Sequence, residues 1–292
     1  MTDTPGPGAG RLTVVALGLV TAVLAYPWRS TTDRWALGIA VAVVLVPLIW
    51  WRGRFLTTIA RQRLRVLLRR ESIEDPSADV RWIGGDAVTT ALLRVDSRDG
   101  DVPIEALIGY LDRYGLVCDA LRVTTRTAVA STTTWIGVTV SGARNLAALQ
   151  ARSAQIPLRQ TAENAARRLA SQLREKGWAA TLVESDDVPV LAAAGARERW
   201  RSVTDSRGHL TTYTVANPDT ALSGLSAGDG HEMWTVVEIA GDPSRTTVKA
   251  GAAIRTEDPP AKSATLPGLR VISGRQATAL AALHPLSGVR LV

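Results

Sequence analysis

The sequence predicts an α+β cytoplasmic domain behind an N-terminal transmembrane helical hairpin. Three observations predict it. Two apolar runs fall within the first 51 residues. Seven arginines with no acidic residue among them follow at once. The remaining chain alternates β-rich runs with helical stretches opened by proline.

Residues 1–10 read as a flexible N-terminus and 11–51 as the hairpin. Its two runs, Leu12 to Trp28 and Trp35 to Trp51, have 17 residues each. As helices they cover about 25 Å at about 1.5 Å per residue, the short end of the spanning range. Trp28 and Trp35 mark one membrane boundary, Trp50 and Trp51 the other, where amphipathic rings are favoured. A cleaved leader is the rival reading of residues 11–28. Pro27-Trp28-Arg29 is a poor small-residue cleavage site, however, and a second apolar run follows directly.

The formal net charge is +7, from 34 basic and 27 acidic residues among 292. Arg52, Arg54, Arg61, Arg63, Arg65, Arg69 and Arg70 account for all of that excess. The rest of the chain is neutral, which excludes the basic domain face of a nucleic-acid binder. Arginine-rich flanks stay on the cytoplasmic side. The chain therefore reads as a two-pass membrane protein with both termini cytoplasmic. Residues 52–79 read as a basic juxtamembrane helix and linker. Arg54, Arg61, Arg65 and Arg69 share one helical stripe opposite Phe55, Ile59 and Val66. That helix suits an anionic lipid surface or a partner.

Residues 80–292 form the α+β domain. A strand is predicted from Asp86 to Val95. A helix opened by Pro103 carries Ile104, Leu107, Ile108 and Leu111 on one face and ends at Gly115. Two β-rich runs follow, "LVCDALRVTT" and "TTTWIGVTVS". A short helix is predicted over 145–153. Pro157 opens the most regular helix, with Leu158, Ala162, Ala165, Leu169 and Leu173 on its apolar face and Gly177 as its stop. "WAATLVE" is then a strand. The order β-α-β-β-α-β is that of a split βαβ, ferredoxin-like unit. The second half is strand-rich, with "RERWRSVT", "HLTTYTV", "EMWTVVEIA" and "RTTVKAGAAIRT", and closes with a helix from Gln276 to Leu283.

Few residues suggest chemistry. "GLSAG" centres Ser226 in a nucleophile-elbow pattern, for which Asp242 or Asp258 and His284 would complete a hydrolase triad. Its flanks read as loop then strand, not strand then helix. Asp99 and Asp101 form a D-x-D, the pair that holds a divalent metal in glycosyltransferases, but Asp-Gly-Asp is also an ordinary turn. His231 and Glu232 are adjacent and would face opposite ways on a strand. His209 sits in a turn-like stretch. Cys118, the only cysteine, lies on an apolar strand as a buried thiol. There is no P-loop motif. Trp135, Trp178 and Trp234 are expected in the core. Trp82 and Trp200, each following an arginine, are the candidates for partial exposure at an interface.

The hairpin, "WWRGRFLTT" with its arginine-rich continuation, "RWIGGDAVTTALLRV", "TTTWIGVTVSGARNLAALQ" and the closing "GLRVISGRQATALAALHPL" together resemble EccE, a membrane-subunit family of mycobacterial type VII (ESX) secretion systems. The resemblance implies a non-ATPase structural subunit that supports export of small helical substrate proteins. Its implied partners are EccB, EccC and EccD, with EccC the ATPase. It implies no catalytic residue, cofactor, metal or small-molecule substrate. The alternative left by the residues themselves is a membrane-anchored enzyme, glycosyltransferase-like or serine hydrolase.

Overall fold

The computed structural model describes residues 80–96, 104–129, 131–151, 157–216, 232–242, 245–260 and 268–291, and the backbone of 50–51 and 54–55. The chain divides into two units, Met1–Arg69 and Arg70–Val292. Within the first, Trp50–Trp51 pairs antiparallel with Arg54–Phe55. These residues stand where the sequence places the end of the second apolar run and the start of the basic segment. The two apolar runs and most of the basic segment lie outside the described residues. Among the described residues no helix is long and apolar enough to cross a membrane.

The second unit is built on one large, antiparallel sheet. In chain order its elements begin with β1 (Arg81–Ile83), β2 (Asp86–Asp96), α1 (Ile104–Ile108), β3 (Asp112–Arg113), β4 (Leu116–Ala128) and β5 (Ser131–Ser141). Next come α2 (Leu146–Gln150), α3 (Leu158–Glu175), β6 (Ala179–Val183), β7 (Arg197–Glu198), β8 (Val203–Asp205) and β9 (Gly208–Val215). The last are β10 (Glu232–Asp242), β11 (Arg245–Thr256), β12 (Leu269–Val271) and α4 (Gln276–Leu283).

The pairing is β6-β2-β5-β4, each antiparallel to the next, with Arg94 opposite Thr181, Ala91 opposite Val138, and Leu121 opposite Val138. Numbering these four strands by chain order gives 4-1-3-2, the arrangement of the split βαβ unit. The second half does not begin a new sheet. β10 adds to the free edge of β4, placing Ile239 opposite Leu121, and β11 and β9 extend the same sheet. β8 and β12 share the outer edge of β9, and β7 lies beyond β8.

Side chains of successive strand residues point to opposite faces, and both faces are covered. Leu93 and Val95 join Ile136, Val138 and Ile239 beneath α3, whereas Leu92 joins Trp135, Trp234 and Val236 beneath α4. α3 presents Ala162, Ala165, Ala166, Leu169, Ala170 and Leu173 to the sheet. The small residues bring the helix close, and burying each leucine contributes about 1.5–3 kcal/mol.

One predicted helix is corrected. It stops at Ile108 rather than running on to Gly115. Gly109 follows, and a mid-helix glycine costs about 1 kcal/mol relative to alanine. Tyr110 and Leu111 then donate to Leu107 and Ile108 in tighter i−3 bonds, and the Leu111 carbonyl accepts from Cys118 N–H at 2.7 Å. Leu111 is buried as expected, but as part of a return into the sheet. The short helix predicted over 145–153 is confined to Leu146–Gln150.

Residues 284–291 lie as a strap across the α4 face. The carbonyl oxygen of Pro285 lies 2.5 Å from where a Cβ on Gly137 would stand. Only glycine fits beneath the strap there. Gly137→Ala is expected to cost about 1–3 kcal/mol through overpacking, lowering the melting temperature of the detergent-purified chain by roughly 5 °C. A fall of less than a degree would show that the strap is loosely held.

Candidate functional site

The most organised polar groups lie on the α4 face. Glu232 is 5% exposed and opposes Arg255 directly across β10 and β11. It accepts from Arg126 Nε at 2.6 Å, Arg255 Nε at 2.8 Å and the Trp234 indole N–H at 3.2 Å. Arg255 also donates to Asp205 at 2.7 Å and to the Leu191 carbonyl at 2.6 Å. Beside this cluster Trp135 and Trp234 stack with centroids 5.9 Å apart, and the Arg126 guanidinium sits 5.7 Å from the Trp234 ring.

A second cluster holds the strap. Arg122, 2% exposed, pairs with Glu238, 3% exposed. Its Nη1 and Nη2 groups donate to the carbonyls of His284, Ser287 and Val289. Arg290 bonds Asp119, Lys249 donates to the Leu291 carbonyl, and Leu291 N–H donates to Glu238.

The carboxylates of these clusters are committed, although Arg122 Nε and Arg290 Nη1 find no hydrogen-bond partner. Burial alone would raise the Glu232 carboxyl, but the hydrogen bonds from Arg126 and Arg255 outweigh it and hold the carboxyl below its ordinary value. Asp205 behaves likewise: burial opposes ionisation, and the Ala193 N–H, Arg255 and Arg207 N–H overcome it. A carboxylate already committed to two guanidinium groups is neither a base near neutral pH nor a free metal ligand. Among the described residues no group of three His, Cys, Asp or Glu side chains could hold a metal.

Ser226, Asp99, Asp101 and His231 lie outside the described residues. So do Trp28, Trp35, Arg52, Arg61, Arg63, Arg65, Arg69 and Arg70, while Trp50, Trp51 and Arg54 are described in backbone alone. The described triad candidates do not fit their roles. His284 is buried and its Nδ1 accepts from the Leu286 N–H at 3.2 Å. A triad base needs the opposite, an Nδ1–H donated to a carboxylate. Asp242 pairs with Arg144 at 3.2 Å, and the Asp258 backbone carbonyl accepts from Thr256. His209 stands on β9, not in a turn, with Nδ1 at 3.0 Å from the Thr204 hydroxyl. Cys118 is 1% exposed and burial pushes its thiol up to about 12.

The tryptophans divide as their contexts suggest. Trp135 and Trp234 are buried, and Trp178 is half-buried one residue before β6. Trp82 is 76% exposed on the short outer strand β1. Trp200 is half-buried, its ring against Gly274. No local signal marks Arg122 and Glu238 as a buried pair. Alternation assigns Arg122 to the face opposite Leu121, which in an antiparallel sheet is by default the wet one. Here that face is closed by α4 and the strap.

Known proteins decide what this scaffold belongs to. Residues 128–215 match the family described as "Putative type VII ESX secretion system translocon, EccE". The chain is 44% identical over 286 residues to the ESX-3 secretion system protein EccE3 of Mycolicibacterium smegmatis, covering 96% of this chain and 89% of that protein. The chain belongs to the EccE family. The EccE3 protein of Mycobacterium tuberculosis strain H37Rv is likewise 44% identical, over 299 residues that cover 98% of this chain and 87% of the relative. The family match begins at the end of β4 and runs through β5, α3 and β6 to the end of β9. The EccE segment thus includes three of the four strands of the split βαβ unit in part or whole, together with the stretch from Leu191 to Asp205 that contains β7 and β8.

Proposed function

We propose that this chain is a non-catalytic structural subunit of a type VII (ESX) secretion complex in the inner membrane, supporting assembly and the export of small helical proteins. The observation that carries this reading is the 44% identity, over nearly the full length of both chains, to proteins named ESX-3 secretion system protein EccE3. The ion clusters support it, since their buried carboxylates are committed to guanidinium groups that hold the sheet together. In this reading residues 11–51 anchor the chain as a hairpin with both termini cytoplasmic. The arginines from Arg52 to Arg70 seat it on an anionic leaflet, at on the order of 1 kcal/mol each. EccB, EccC and EccD are the partners.

A tagged chain recovered from membranes in mild detergent is expected to bring EccB, EccC and EccD with it in one species on a native gel. In a Cys118→Ser background, a cysteine at Ser30 should label from outside intact cells and one at Ser72 should not. Ser226→Ala and the pair Asp99→Asn, Asp101→Asn should leave both recovery and export unchanged. Export lost from an intact complex in either of these variants would favour the enzyme reading. Recovery of the tagged chain alone would remove the subunit reading.

A further inference from the structure

Tyr114 occupies a position that suits its neighbours poorly and solvent worse. It joins β3 to β4 in a two-residue turn with Gly115, and both residues have positive φ, 58° and 70°. Such turns favour asparagine, aspartate or glycine, because a Cβ crowds the backbone in the left-handed region. Tyr114 is the one described non-glycine residue there. The residue is nevertheless 58% exposed, so the strain does not serve to bury it.

The ring is held in a definite setting. The Arg113 guanidinium lies 5.2 Å from its centroid and that of Arg168 5.0 Å, while Tyr110 meets it edge-on at 6.5 Å. Arg113 is fixed by donation to Gln172 at 2.8 Å, and the Tyr110 hydroxyl by donation to the Ala165 carbonyl at 2.8 Å. Arg168 makes no ion pair among the described residues. All four side chains line a cleft of about 490 Å³ between the turn and α3, together with Leu116, Cys118 and Ala165. Among the described residues no carboxylate lines it.

We propose that this cleft is a protein docking site that receives an acidic segment of another subunit, with carboxylates on Arg113 and Arg168 and an apolar side chain against Tyr114. Tyrosine and arginine are the residues in which interface energy concentrates. Two guanidinium groups without an ion pair among the described residues select a negative partner. Nucleic acid is disfavoured, because the exposed face of α3 beyond the cleft mixes signs: Glu163 bonds both Arg159 and Arg167. A strained aromatic held outward is the kind of local cost that persists at sites of function. This docking role rests on the subunit reading above.

The test uses the full chain in its membrane. Tyr114→Asn relieves the turn, since asparagine tolerates left-handed φ, so the melting temperature of the purified chain should hold or rise. Recovery in the complex should fall, on the order of tenfold for the pair Arg113→Glu, Arg168→Glu, and added salt should weaken the wild-type association. A photo-reactive phenylalanine at position 114 should cross-link to a segment of another subunit carrying net negative charge. A lower melting temperature for Tyr114→Asn with unchanged recovery would make the residue merely structural and overturn the proposal. So would cross-linking to lipid, nucleic acid or a neutral or basic segment. A wild-type chain found in no complex would overturn the subunit reading and the docking site with it. An intact complex that tolerates all the variants overturns the docking site alone.

Discussion

Replacing Arg122 with alanine is expected to lower the melting temperature of the detergent-purified chain by roughly 10 °C, the largest effect of any single side chain on the α4 face. Arg122 neutralises Glu238 and donates to three strap carbonyls while 2% exposed. Burial alone lowers the pKa of such a guanidinium, and Glu238 works against that fall. Removing the cation leaves a buried carboxylate with Arg290, at 3.6 Å and 39% exposed, as its remaining cationic partner. Breaking a buried pair from one side costs about 3–5 kcal/mol. The paired substitution Arg122→Met with Glu238→Leu removes both charges and should recover most of the loss, because well-packed apolar residues often match a buried ion pair. It should not restore the strap: amide exchange across residues 286–291 is expected to remain fast, since the Ser287 and Val289 carbonyls still lack the Arg122 donor, while His284 keeps the Ser287 N–H. Slow exchange in the double variant would show that α4 and Lys249 hold the strap without Arg122.

Glu232→Gln is expected to cost about 3 kcal/mol near neutral pH, by leaving Arg126 and Arg255 without their shared carboxylate. Asp205 retains its bond to Arg255 and limits the loss. The effect has a pH signature. Arg126 and Arg255 hold the folded carboxyl of Glu232 below its ordinary value, and Asp205 is lowered in the same direction. A depressed folded pKa gives stability that is fully present above the unfolded value, about 4.3 for glutamate, and is lost as pH falls through the folded one. The melting temperatures of wild type and variant should therefore differ most near pH 7 and converge as pH drops below about 4. A gap that persists unchanged in acid would show that the glutamate acts through shape and not charge.

Much of the fold was legible because its elements carry local signals. Pro157 and Gly177 bracket α3, and its alanine and leucine spacing gave the buried face. β11 and α4 fall at the residues their patterns indicated. The alternating threonine, valine and isoleucine of β5 could only suit a pleated surface with a buried side. α1 was overextended because Leu111 fits a helical stripe as well as it fits the return into β4, and periodicity does not distinguish these. β1 and β12 escaped notice because three residues are too few for any period to register.

The sequence by itself determined the charge distribution, the apolar runs, the element order and the family, since each depends on residues near one another in the chain or on their identity alone. Only the tertiary structure decided that the second half extends the first half's sheet through β10 on the edge of β4. It also decided that Arg122 meets Glu238 and the strap, pairings separated by 116 to 167 positions. Nothing local encodes such a meeting. An arginine in an alternating strand reads as a solvent-facing residue until another part of the chain closes over it, and whether that happens depends on where strands far apart in sequence come to lie.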